Sequence, residues 1–169
     1  GTTTPGGKSD KVDILFAIDN SRSMADKQQV LTLALGDLLS GLAAPPCLDA
    51  NGQLVPVGGP GEACPAGSQR QFQPVTDIHI GVISSSLGGH GSDACATSGA
   101  GKQSNNDKGH LLDRVEPSSA GTVPTYQGKG FLAWDPAQTL EPKGEADVAA
   151  FGTNLANLVG GVGQKGCGY

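Results

Sequence analysis

The hydrophobic pattern divides the chain into five ordered segments separated by polar stretches. Val12 and then Ile14 to Ile18 form an apolar run broken only by Asp13. A near-continuous run of this kind predicts a central parallel strand over Val12–Asp19, covered on both faces. Beyond it, Val30, Ala34, Leu35 and Leu38 recur at helical spacing. They predict a helix from an N-cap at Ser23 to about Ser40, with those four residues facing a sheet and Gly41 as its stop. Ile78, Ile80 and Val82 alternate with His79, Gly81 and Ile83, which predicts a second strand over Asp77–Ser84. Gly130–Trp134 predicts a third. Val148, Phe151, Leu155, Leu158 and Val162 share one helical face and predict a second helix over Glu145–Val162, with Glu145 and Asp147 in its acid-favoured first turn. The order strand, helix, strand, insertion, strand, helix is that of an α/β fold with an open, mostly parallel, Rossmann-like sheet flanked by helices.

Composition locates the rest. The chain has 169 residues, enough for one domain with a real core. Its 27 glycines and 11 prolines concentrate in residues 1–7, 44–67 and 88–130, so the core is interrupted by long insertions at about 43–75 and 87–130. Residues 1–10 read as a flexible linker, and 11–169 as the domain. One helical turn is expected near Lys108–Arg114. Net charge is −5 with no basic run, which argues against nucleic acid or an anionic membrane surface as partner. No stretch is long and apolar enough for a membrane span. Cys47, Cys64, Cys95 and Cys167 form no C-x-x-C pair, which argues against a zinc ribbon or a redox dithiol. Four cysteines allow three pairings. Cys47 and Cys64 bracket a Gly/Pro-rich stretch, so Cys47–Cys64 with Cys95–Cys167 is the favoured pairing, and an oxidising compartment follows from it.

The chemistry concentrates where the first strand ends, at Asp19-Asn20-Ser21-Arg22-Ser23-Met24. A carboxylate and two hydroxyls spaced by two are hard oxygen ligands suited to Mg²⁺ or Mn²⁺. In open α/β sheets ligands bind beyond the carboxyl ends of the strands. The wording D-x-S-x-S-M after an apolar strand resembles the metal-ion-dependent adhesion site of von Willebrand factor type A domains. That resemblance implies Asp19, Ser21 and Ser23 as metal ligands for Mg²⁺ (or Mn²⁺ or Ca²⁺), and a partner protein whose acidic side chain completes the shell. In that family a threonine from a later loop and an acid after a later strand also contribute. Here the loop falls at about Gly163–Gly168, which holds no threonine; Gln164 and Lys165 stand near the expected position. A typical type A domain has several more strands and helices. The resemblance therefore covers the N-terminal portion of such a fold, completed by the rest of its own domain or by another chain. Long disulfide-tied insertions of this composition resemble those of bacterial surface proteins.

The expectation is a secreted or cell-surface adhesion or protein-interaction module, and not an enzyme. The alternative is a structural domain of a filament, pilus tip or envelope assembly without metal-dependent binding. A third reading, an accessory domain beside an ATPase as in metal chelatases, conflicts with the cysteines. A phosphotransferase of the haloacid dehalogenase type needs an acid two residues after the first aspartate, where Ser21 stands. Ser21 has no G-x-S-x-G elbow, and no phosphate-binding glycine loop is present. Ser84-Ser85-Ser86 and the loop carrying His90 follow the second strand and share the rim of the metal site. Asp93, Asp107 and Asp113 match no calcium-loop spacing. His79 reads as a packed or edge residue, and Trp134 as core.

Overall fold

The computed structural model describes residues 11–57, 62–88, 95, 106–115 and 121–167. Its main sheet has three strands: β1 (Lys11–Ile18), β5 (Asp77–Ser84) and β6 (Phe131–Trp134), in the order β1-β5-β6. β1 and β5 are parallel in an unbroken register from Lys11↔Asp77 to Ile18↔Ser84. β6 runs antiparallel to β5, with Gly81↔Phe131 and Ile78↔Trp134. The sheet is thus mixed rather than mostly parallel. Two helices, α1 (Ala25–Ala43) and α2 (Val148–Gly160), pack against each other beside it.

β5 is the buried central strand: Ile78, Ile80 and Val82 are fully covered. β1, expected at the centre, stands at the edge among the described residues. Val12, Ile14 and Phe16 pack on the core, while Asp13, Leu15 and Ala17 are exposed on the other face. α1 also departs from expectation. Leu35, Leu39 and Ala43 are buried, but Val30, Ala34 and Leu38 are exposed. The helix is rotated so that Leu31, Leu35, Leu39 and Leu42 meet the core. It begins after a 3-10 turn at Arg22–Met24, so Ser23 lies inside that turn and caps nothing. Gly41 remains helical, and the helix ends before Pro45-Pro46, where proline disfavours helical geometry for the preceding residue.

α2 is shorter than its apolar pattern suggested, because Asp147 is its N-cap rather than part of its first turn. The Asp147 side chain accepts from the backbone N–H of Ala149 and Ala150. Phe151, Leu155, Leu158 and Val159 are buried, with Val162 just beyond the helix. Trp134 is core, as expected, with its ring 5.7 Å from that of Phe151.

The first insertion carries a small antiparallel sheet, β3-β2-β4, of β2 (Cys47–Asp49), β3 (Leu54–Val55) and β4 (Ser68–Arg70). The Cys47–Cys64 disulfide pins it, and Cys95–Cys167 is the second bridge, so both favoured pairings are present. The second insertion holds no helix near Lys108–Arg114. Asp107 and His110 close a turn, and Arg114 bridges to Thr122.

After β6 the chain makes a compact loop organised by Asp135. This carboxylate is buried, which alone would push its pKa up. The backbone N–H groups of Thr139, Leu140 and Gly144 outweigh that, and hold it below the ordinary carboxylate value. A lowered folded pKa contributes stability that is complete above the unfolded pKa, near pH 4, and lost as pH falls through the folded value. Asp135→Asn should therefore cost about 2 kcal/mol at neutral pH, and the gap from the native chain should shrink below about pH 4. Urea denaturation at pH 7 and at about pH 3 measures this; a gap independent of pH contradicts it.

Candidate functional site

Parallel pairing of β1 with β5 brings their carboxyl ends side by side, and Ser85 N–H extends the ladder to Ile18 O at 2.9 Å. Asp19 therefore emerges next to Ser85. Asp19 Oδ1 accepts the Ser21 backbone N–H at 2.8 Å and the Ser21 hydroxyl at 2.7 Å. Ser21 Oγ lies 3.5 Å from Ser23 Oγ, and Ser85 Oγ lies 3.5 Å from Asp19 Oδ1. The Ser21 hydroxyl, then its N–H, and more weakly the Ser85 hydroxyl, hold the Asp19 carboxyl below its ordinary pKa, so it is charged at neutral pH. All three sequence-expected residues thus meet on one exposed rim.

Asn20 points the other way and is fully buried. Its Nδ2 donates to Val162 O at 3.0 Å, after α2. Its Oδ1 accepts from the hydroxyls of Ser85 at 3.1 Å and Ser86 at 3.0 Å, after β5. Its carbonyl accepts from Gly166 N–H at 3.0 Å. The Cys167 N–H donates to Ser86 Oγ, and the Gly88 N–H to Cys167 O. Gln28, from α1, donates to both Asp19 O and Gly163 O. The loop after α2 is therefore closed over the strand ends, with Gln164 and Lys165 exposed on it. Ser85 belongs to the serine triplet expected on this rim, whereas Asn20 was not singled out from sequence. The signal for Asn20 was the two-residue strand period carried two positions further: Phe16, Ile18 and Asn20 all turn inward.

Behind this rim lies an ion pair between a buried Asp107 and a partly buried Arg114. Arg114 makes a two-pronged contact with Asp107, at 2.6 and 2.9 Å, and its Nε donates to Gly161 O at 2.7 Å. The Ser84 hydroxyl donates to Asp107 Oδ2. Asp107 is thereby committed to a structural pair, and Asp113 is exposed. Asp93 and His90 lie outside the described residues. His79 sits on the central strand, not an edge, 3.0 Å from Asp13 and against the Phe131 ring.

The rim also has the geometry of an ordinary aspartate turn, which needs no metal. Its donor set nonetheless fits a small divalent cation. Octahedral Mg²⁺ holds oxygens at about 2.1 Å, so adjacent ligands stand about 3 Å apart. The oxygen separations of 2.7 and 3.5 Å bracket that value. Among the described residues no group of three or more His, Cys, Asp and Glu side chains is gathered to hold a metal. The rim offers a single carboxylate and hydroxyls instead. No family model, curated protein or solved structure matches the chain.

Proposed function

We propose that this chain carries a von Willebrand factor type A-like fold and acts as an adhesion or protein-interaction module outside the cytoplasm. Asp19, Ser21 and Ser23 would hold Mg²⁺ or a similar divalent cation. One carboxylate with neutral hydroxyls leaves the cation short of negative charge, so an acidic side chain of a partner protein both completes the shell and balances it. The observation that carries this reading is the meeting of the Asp19 carboxylate with the two serine hydroxyls at the carboxyl end of a parallel strand, under the loop that follows α2. The chemistry proposed is binding, carried by one carboxylate and neutral hydroxyls. Two disulfides suit an oxidising compartment, and no helix among the described residues is long and apolar enough to cross a membrane.

Calorimetric titration with Mg²⁺ and Mn²⁺ tests the reading. The native chain should bind one equivalent and melt higher with metal than in EDTA; at a hundredfold excess over Kd the gain is about 2.7 kcal/mol. Asp19→Ala should bind none and melt as the native chain does in EDTA. A native chain that takes up neither ion would sink the proposal.

A second reading, a domain that works inside a larger assembly, rests on a different observation. Among the described residues no strand pairs with the outer edge of β1, and Leu15 beside it is 59% exposed. On α1, Val30 and Leu33 are 66% and 76% exposed. α2 lies against β5 and β6, and α1 packs on α2. Apolar parallel strands are ordinarily covered on both sides, so this surface suits further strand and helix from elsewhere. Light scattering that shows a monomer at all concentrations would count against self-assembly through it.

A further inference from the structure

We propose that Ser85, just after β5, supplies a fourth oxygen to the cation. This rests on the metal-binding reading above and adds one residue to it.

The serine triplet after β5 divides by the pleat. Ser84 and Ser86 turn inward and are buried, Ser84 donating to Asp107 and Ser86 to Asn20. Ser85 turns the opposite way and is half-exposed on the Asp19 side. Its hydroxyl lies 3.5 Å from Asp19 Oδ1, the same carboxylate oxygen that Ser21 contacts at 2.7 Å. A hydroxyl has one proton and two lone pairs. The proton is shared between Asn20 Oδ1 at 3.1 Å and, more weakly, Asp19 Oδ1 at 3.5 Å, and one lone pair takes the Asn20 N–H at 3.2 Å. The second lone pair is left for a ligand. The hydroxyl's position is set by two contacts to the buried Asn20, so its orientation costs little on binding. The rim then presents a carboxylate and three hydroxyls from two elements, and a hexacoordinate cation keeps room for water and a partner carboxylate.

The test compares Mn²⁺ and Mg²⁺ affinities of the native chain, Ser85→Ala, Ser85→Thr and Asp19→Ala by titration calorimetry, with each melting point in EDTA recorded alongside. Ser85→Ala should bind roughly tenfold more weakly, as for loss of one ligating or supporting contact. Ser85→Thr should bind within about twofold of the native chain, since its hydroxyl is retained. Native-like affinity in Ser85→Ala, with Asp19→Ala binding nothing, overturns the role of Ser85 while leaving the metal site standing. Absence of binding in the native chain overturns both. Ser85→Cys gives a readout independent of stability: Cd²⁺ at the rim should show thiolate-to-cadmium charge-transfer absorption, because a soft thiolate prefers such an ion. Its absence from a variant that still binds Cd²⁺ overturns the assignment.

Discussion

Replacing Arg114 by methionine is expected to cost about 3–5 kcal/mol of stability, as is usual when one partner of a buried ion pair is removed. Asp107 is almost wholly buried, and its carboxylate is met by both terminal nitrogens of Arg114 and by the Ser84 hydroxyl. Without the guanidinium, an uncompensated charge stays out of water and Gly161 O loses its donor. The double variant Asp107→Leu/Arg114→Met should recover much of the loss, since a buried pair gives little net stability over apolar residues of similar size. Urea denaturation of the four chains measures both effects. A single substitution costing under about 1 kcal/mol would mean that the pair is solvated.

That pair also shows why part of this fold could be read from sequence and part could not. β5 was legible residue by residue, since alternate apolar side chains put one strand face on the core, and Ile78, Ile80 and Val82 are the buried ones. α2 was legible for the same reason, with five apolar side chains on one face. α1 was legible as a helix, but its rotation was not. Val30, Leu31, Ala34, Leu35, Leu38 and Leu39 offer two overlapping apolar stripes one residue apart, and periodicity cannot choose between them. The packing against α2 selected Leu35 and Leu39 and left Val30 and Leu38 in water. Nothing local marked Asp107 and Arg114 as partners either. They are seven residues apart, in a segment without helical or strand period, and meet only because that segment folds back over β5. The antiparallel entry of β6 was equally hidden, because a four-residue apolar run carries no sign of its direction.

The rim illustrates the same division. Asp19, Ser21 and Ser23 were readable because their contacts are local, within a two-residue reach along the chain. Ser85 and the loop after α2, both expected there from their place after the second strand and the second helix, join them through contacts spanning 65 residues or more, whose partners the sequence did not mark. Asn20 joins the two kinds of contact. It is one peptide from the rim, yet its side chain faces the interior and links the ends of β1, β5 and α2.

Asn20→Leu should therefore lower stability by about 3 kcal/mol, measured in EDTA so that metal plays no part. The substitution strips Val162 O of its donor and the Ser86 hydroxyl of its acceptor in a site with no access to water, at about 1–3 kcal/mol for each group left unsatisfied. Asn20→Asp has nearly the same size and keeps an acceptor for the two serine hydroxyls, but places an oxygen against Val162 O where an N–H₂ stood. Shape alone would predict little change for it; hydrogen-bond accounting predicts a loss comparable to that of leucine, since the introduced carboxylate is buried without a cationic partner. Asn20→Ser, which offers a hydroxyl in place of the amide but cannot span to all three elements, should fall between the native chain and Asn20→Leu. If Asn20→Asp proved as stable as the native chain, the contact with Val162 O would not be holding the α2 end against the strands. The rim would then owe its shape to Asp19 and its neighbours alone.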